Sequence, residues 1–250
     1  MIGIVGGVGP LAGLDIVGKI IAETKANKDQ DHLPVLLSSQ PHRITDRTQY
    51  LLGAEPINPA YAIAAIIQEL ERGGSSVVGI PCNTAHSPRI LSVVMDELQK
   101  AKSNIKVLHL VEETAQFIVT NYGKIKVGIL STTGTKNTGL YKKTLALFGL
   151  EAIEPDEHWQ EKVHATIYDE QFGIKAVSSP VTNRVRQDLI AAIGQLKSQG
   201  AQAIILGCTE LPLALPEKET AGLTLIDPNR ILARALIREI DAQKLLPLSV

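Results

Sequence analysis

Two stretches of this chain recur half a chain-length later, and that repeat constrains the fold more than any other feature. Gly3-Ile4-Val5-Gly6-Gly7-Val8-Gly9 is echoed 125 residues on by Gly128-Ile129-Leu130-Ser131-Thr132-Thr133-Gly134. Gly79-Ile80-Pro81-Cys82-Asn83-Thr84 is echoed 126 residues on by Ile205-Leu206-Gly207-Cys208-Thr209-Glu210. Each pair is a short apolar run entering a loop of small residues, and the offset is half of the 250 residues. One matched pair is what any two strand–turn–helix units can show by chance. Two pairs in register imply two similar halves related by a pseudo-twofold axis.

The runs between these anchors predict an α/β chain. Candidate strands are 2–5, 34–38, 76–80, 106–110, 125–130, 151–154, 202–206 and 223–226, alternating with helical patterns. Several are unbroken apolar runs, such as Ala203-Ile204-Ile205-Leu206, the pattern of parallel strands covered on both faces. Asn58-Pro59, Ser179-Pro180 and Asp227-Pro228 each read as a helix N-cap before a proline, whose missing N–H costs nothing in the first turn. Ala60, Ile63, Ala64, Ile67 and Leu70 fall on one helical face, and Gly73-Gly74 stops that helix. No linker is rich in Gly, Ser or Pro, so a domain boundary here is expected to be a compact crossing.

Composition removes several classes of function. Lys plus Arg is 25 against 26 Asp plus Glu, without the basic excess of an electrostatic nucleic-acid binder. No apolar run approaches the ~18 residues of a membrane span. Met1-Ile2-Gly3-Ile4-Val5 lacks the basic start of a signal peptide and reads as a strand. Two cysteines make no disulfide framework and point to a reducing, cytoplasmic setting.

Those two cysteines, Cys82 and Cys208, hold the chemistry. Each follows an apolar strand and precedes a helix start, beyond the carboxyl end of a strand, where parallel α/β sheets bind ligands. Helix N-termini are expected to favour thiolate over thiol. A lone cysteine in an apolar run is usually a small buried hydrophobe; two at matching positions of a repeat are not explained that way. Two equivalent thiols suit stereoinversion, in which one removes a proton from carbon and the other returns one to the opposite face. The developing enediolate needs fixed donors. Asn83, Thr84, Ser131, Thr132, Thr133 and Thr209 are candidates to supply them.

The motifs G-I-V-G-G-V-G-P-L-A (3–12), P-C-N-T-A-H (81–86), S-T-T-G-T (131–135) and G-C-T-E (207–210) resemble the aspartate racemase branch of the aspartate/glutamate racemase superfamily. D-R-T-Q-Y-L-L-G (46–53) and I-D-P (226–228) extend the resemblance along the whole chain. It implies two Rossmann-like halves with parallel sheets and an active site in the cleft between them, no cofactor, a small amino-acid substrate and a homodimer. The expected division is 1–114 plus 219–250 for the half with Cys82, and 115–218 for the half with Cys208. The resemblance makes Cys82 and Cys208 the catalytic pair. Asn83, Thr84 and Ala85 become a substrate-cradling turn, and Val8 a pocket wall where relatives often have Met. Arg47 becomes the fork for a substrate carboxylate, which suits its bidentate geometry. Thr132, Thr133 and Thr209 complete the substrate loops. A basic residue is expected shortly before Ile167-Tyr168; the register offers Glu161 or Lys162, and Lys162 fits on charge. Glutamate racemases usually carry His after G-C-T; Glu210 favours the aspartate or broad-specificity branch, and hydrogen-bonds at a helix start or tunes Cys208.

Weaker signals point elsewhere. Gly7-Val8-Gly9-Pro10-Leu11-Ala12 fits a dinucleotide-binding turn, but Ser38-Ser39 stands where its acidic residue belongs. Cys82 and His86 have a metal-ligand spacing without a second ligand cluster, so no metal is expected. A Cys–His hydrolase built on Cys82 with His86 or His109 leaves Cys208 unexplained. Glu112-Glu113 could serve as general acid–base groups, but adjacent acids at a helix start usually satisfy its dipole. The competing functions are a maleate isomerase or malonate-type decarboxylase of the same superfamily, and a non-catalytic protein that binds an acidic metabolite.

Overall fold

A computed structural model describes residues 1–248. The chain divides into two compact units, 1–113 with 229–250 and 114–228, of which 249–250 lie outside the described residues.

The first unit holds β1 (Ile2–Gly6), α1 (Pro10–Glu23), β2 (Val35–Ser39), α2 (Arg47–Leu52), α3 (Ala60–Arg72), β3 (Val77–Gly79), α4 (Pro88–Lys100) and β4 (Lys106–Val107). Helix α5 (Leu110–Tyr122) carries the chain across the division. The second unit holds β5 (Lys126–Leu130), α6 (Thr133–Thr138), α7 (Leu140–Leu147), β6 (Glu151–Ile153), α8 (Glu157–Tyr168), α9 (Asn183–Ser198), β7 (Ala203–Leu206), α10 (Leu211–Ala214), β8 (Glu219–Thr220) and β9 (Leu223–Ile226). The return crossing is at the start of α11 (Pro228–Asp241).

The first sheet runs β2-β1-β3-β4, all parallel. The second runs β6-β5-β7-β9-β8, parallel except for the edge pair β8–β9. Each order places the unit's first strand, β1 or β5, between the next strand on one side and the strand that leads to the cysteine on the other. The chain therefore winds outward in both directions from a central pair, β1/β3 in one unit and β5/β7 in the other. Loops after such a pair diverge and leave a crevice at the carboxyl ends. The sequence repeat is thus a repeat of topology, and all four loops it marks are the crevice loops.

Burial follows the apolar patterns. β1 and β7 are buried at every residue, as strands covered on both faces must be. On α3, Ala60, Ile63, Ala64, Ile67 and Leu70 are all buried, joined by Ile66, and pack into a core with Val78, Ile80 and Ile90. Each buried Ile, Leu or Val there contributes about 1.5–3 kcal/mol of transfer free energy. The second core gathers Leu130, Val163, Leu189, Ile193, Ile204 and Leu206.

Several expectations are corrected. The strand expected at 106–110 ends at Val107, and Leu110 already opens α5. His109 decides this: its Nδ1 accepts the Glu112 N–H at 3.2 Å and its carbonyl accepts the Glu113 N–H, a cap that turns an apolar run into a helix start. Ser179-Pro180 does not cap α9; Thr182 does, its hydroxyl accepting the Val185 N–H. Residues 219–228 belong to the second unit rather than the first, because β9 pairs with β7 and continues that sheet. The two-residue edge strand β8 was too short and polar to read from sequence.

Candidate active site

In the first unit, β3 ends in a tight turn in which the Cys82 N–H donates to the Ile80 carbonyl at 2.8 Å, across Pro81. The fixed φ of proline suits a three-residue turn of this kind. One turn of 3₁₀ helix, Thr84–His86, follows before α4 begins at Pro88. Cys82, Asn83, Thr84, Ala85 and His86 are all buried. His86 sits behind the turn, its Nδ1 2.9 Å from the Cys82 carbonyl. A carbonyl only accepts, so Nδ1 carries the proton. Burial, followed by the neighbouring His109, pushes the His86 imidazole down to about 3, so it is neutral near pH 7. The two imidazole rings meet edge-on with centroids 4.9 Å apart. His86 is thus a brace for the Cys82 turn.

Val8, Ile44, Cys82 and Ala85 belong to one buried cluster. Arg47 opens α2, which Asp46 caps by accepting the Gln49 N–H at 2.8 Å. The Arg47 side chain is buried, donates from Nη2 to the Val8 carbonyl and reaches the Thr45 carbonyl from Nη1 at 3.5 Å. Helix α2 also packs on the Thr84–His86 turn. The fold therefore brings Val8, Arg47 and the Cys82–Ala85 turn together from three separate segments. The Gly7-to-Ala12 turn departs from a dinucleotide site: a Cβ at Gly7 would lie 2.8 Å from the Gln40 backbone nitrogen, so this turn is packed against the loop after β2.

In the second unit, Thr132 caps α6 with its hydroxyl, accepting the Thr135 N–H at 3.2 Å. Two residues one turn apart on α8 reach this loop. Gln160 donates to the Ser131 carbonyl at 2.9 Å, and His164 Nδ1 accepts the Thr133 N–H at 3.3 Å. Neither was read from the sequence, although their i, i+4 spacing, continued by Tyr168 stacked on His164, marks one helical face. Lys162 lies about 200° round the helix from His164, its ammonium 4.5 Å from the Trp159 ring centroid, and Glu161 is exposed. The residue that α8 brings to the Thr133 loop is therefore His164, in place of Lys162 or Glu161.

Cys208 follows β7 through Gly207, where a Cβ would lie 2.8 Å from the Leu130 carbonyl oxygen and 3.1 Å from Tyr141 Cε2. Only glycine lets β7 leave the sheet this close to the β5 strand end. Cys208 is buried, and its thiol donates to Glu210 Oε2 at 3.0 Å. Thr209 donates to the same oxygen at 3.3 Å, and Lys175 pairs with Oε1 at 2.8 Å. Burial, and after it the Glu210 charge, raise the Cys208 thiol well above its ordinary range. The expectation that a helix start favours the thiolate is corrected here. Helix α10 is only four residues long, and the carboxylate at its entry outweighs it. Tyr141 is buried against this turn and stays protonated, raised by burial and then by Cys208 and Asp227.

Each unit thus presents one free thiol at the carboxyl ends of a parallel sheet, on a turn flanked by buried hydroxyl and amide groups. Among the described residues no group of three or more His, Cys, Asp or Glu is gathered to hold a metal ion. Nor is any helix there long and apolar enough to cross a membrane.

Known proteins match this chain over most of its length. A family model described as Asp/Glu/Hydantoin racemase matches residues 5–236. The broad specificity amino-acid racemase RacX of Bacillus subtilis (strain 168) is 31% identical over 245 residues, covering 95% of this chain and 96% of that protein. The structure of Picrophilus torridus aspartate racemase matches with a TM-score of 0.80 at 29% identity, over 98% of this chain and 95% of its own. Glutamate racemase of Francisella tularensis subsp. tularensis SCHU S4, solved with D-glutamate, matches with a TM-score of 0.65 at 19% identity over 100% of this chain and 84% of its own, a likeness of fold alone. With two topologically equivalent Cys turns and a family match spanning both units, the chain belongs to the Asp/Glu/hydantoin racemase family of isomerases.

Proposed function

We propose that this protein racemises amino acids without a cofactor, aspartate first and a broader set beside it, with Cys82 and Cys208 as the acid–base pair. The observation that carries this reading is the equivalence of the two thiols: each follows the strand that pairs in parallel with its unit's first strand, on the side opposite the unit's second strand. One thiolate takes the α-proton, forming S–H as C–H breaks, and the electron pair moves into the carboxylate. The other thiol gives its proton to the opposite face of the same carbon. Two general acid–base groups of this kind contribute on the order of 10²–10⁴-fold each.

The residues around each thiol fit supporting roles. Arg47 is the fork for a substrate carboxylate, next to Val8 and the Asn83-Thr84-Ala85 turn. The Thr132-Thr133 and Thr209 loops offer N–H and hydroxyl donors to the enediolate. His164 at the Thr133 loop is the group expected to meet the substrate side chain. Two free thiols fit a reducing cytoplasm, and the family reading favours a homodimer.

Incubation of each enantiomer of aspartate, glutamate and neutral amino acids in D2O tests the proposal. Loss of optical rotation together with one α-deuterium per product molecule is expected. No inversion and no exchange with any amino acid overturns it; turnover of maleate, or CO2 release from a malonate, moves the chain to the isomerase or decarboxylase reading instead. Arg47→Lys is expected to raise KM about tenfold or more by replacing a bidentate fork with a point charge.

A further inference from the structure

Cys208 is wrapped in a charge network that the two-thiol mechanism does not require. Three donors converge on the Glu210 carboxyl group: the Lys175 ammonium at 2.8 Å on one oxygen, and the Cys208 thiol at 3.0 Å and Thr209 hydroxyl at 3.3 Å on the other. A group that accepts three donors and is 7% exposed is the ionised carboxylate. Its charge is balanced by Lys175, which comes from the segment after α8 and lies 5.3 Å from the Tyr168 ring centroid. Tyr141, on α7, is protonated, raised by burial and then by Cys208 and by Asp227, which follows β9. In the first unit Thr84 occupies the place of Glu210 in the repeat.

We infer that Glu210 is a positioning residue that holds Cys208 as the resting acid, with Lys175 tempering its charge, so that the enzyme waits with a proton on Cys208. The inference rests on the proposed use of Cys208 as one of the two acid–base groups. Ionised Glu210 holds the S–H pointed and protonated, and Lys175, paired with its other oxygen, moderates that charge. After Cys208 has given its proton to carbon, its thiolate stands beside a carboxylate, and like charges in contact drive re-protonation from solvent. The resting enzyme is therefore matched to the enantiomer whose α-hydrogen faces away from Cys208. The raised Cys208 thiol agrees in direction, with Glu210 working against the thiolate and Lys175 for it.

Lys175 and Glu210 thus act on Cys208 with opposite signs, which no merely structural role would produce. The test is titration of the full chain labelled with ¹³C at cysteine Cβ, followed by NMR, the Cys208 signal being assigned with Cys82→Ala. Glu210→Gln is expected to lower the Cys208 midpoint by about one pH unit or more. Lys175→Gln is expected to raise it, and Lys175→Arg to restore it towards the wild-type value. An unchanged midpoint in Glu210→Gln, or a shift of the same sign in Glu210→Gln and Lys175→Gln, overturns the inference. Because the titration needs no substrate, it stands or falls separately from the racemase reading, which the D2O exchange decides.

Discussion

The two Cys turns share a backbone plan and differ in everything that sets charge. Cys82 is braced from behind by His86, a neutral imidazole held to the carbonyl of the cysteine. Cys208 is held at the thiol itself by Glu210, backed by Lys175. Duplicated topology places two thiols in equivalent positions; the side chains then give one a neutral wall and the other an ion pair. Two enantiomers have equal free energy, so kcat/KM must be the same in both directions of a racemisation whatever the residues do. The asymmetry can therefore appear only in kcat and KM separately and in the timing of deuterium exchange. That is where the comparison between the halves is to be broken or sharpened.

The largest effect is expected from the thiols. Cys82→Ala and Cys208→Ala should each reduce inversion of both enantiomers by on the order of 10²–10⁴-fold, measured by optical rotation or chiral chromatography. Retention of half the activity by either variant would end the equivalence of the two turns. Next come the residues that precede the cysteines. Gly207→Ala forces a methyl to within 2.8 Å of the Leu130 carbonyl oxygen, and a cost of about 1–3 kcal/mol in unfolding free energy is expected. Pro81→Ala in the other turn loses only chain stiffness and should cost about 1 kcal/mol or less. Equal costs in urea denaturation would show that the two turns are built alike after all.

The acid stability of the first unit is a third measure. His86 titrates near 6.5 when unfolded and at about 3 when folded, so the unfolded chain binds the extra proton first. Its contribution is fully present above about 6.5 and is lost as pH falls towards about 3. Each pH unit in that window removes on the order of 1.4 kcal/mol. His86→Gln should flatten the pH dependence of urea unfolding between those limits; a slope unchanged from wild type would place the sensitivity elsewhere. The smallest effect is at the surface of the second unit. Arg186 holds Glu217 down at about 2, which stabilises the folded state above about 4.5 and less as pH falls through that value towards 2. The Arg186 side chain is 42% exposed, so Glu217→Gln should cost no more than about 1 kcal/mol at pH 7, with the difference vanishing near pH 2.

Much of the fold was legible in the residues because burial and periodicity are local. The runs 2–5, 125–130 and 202–206 fall on strands within a residue or two, and α3 buries the stripe its spacing predicts. The misses were also physical. At 106–110 an apolar run too short to declare its period was decided by a single side chain, the His109 cap. Strand β9 was assigned to the wrong half because nothing in Leu223-Thr224-Leu225-Ile226 says which sheet it joins. At the candidate site the cysteines, Arg47 and the small-residue loops were readable as motifs. His164 was not, because its partner is a backbone N–H 31 residues away and only the rotation of α8 selects it over Lys162.

By itself the sequence determined that there are two halves, that each is α/β, and that each brings one thiol to a crevice loop, since these follow from repeat, periodicity and strand–loop order along the chain. Only the tertiary structure decided what surrounds each thiol. Lys175 reaches Glu210 across 35 residues, and Arg47 reaches the Val8 carbonyl across 39. Charge acts through space at a few ångströms, and spacing along the chain does not record which charges will be neighbours.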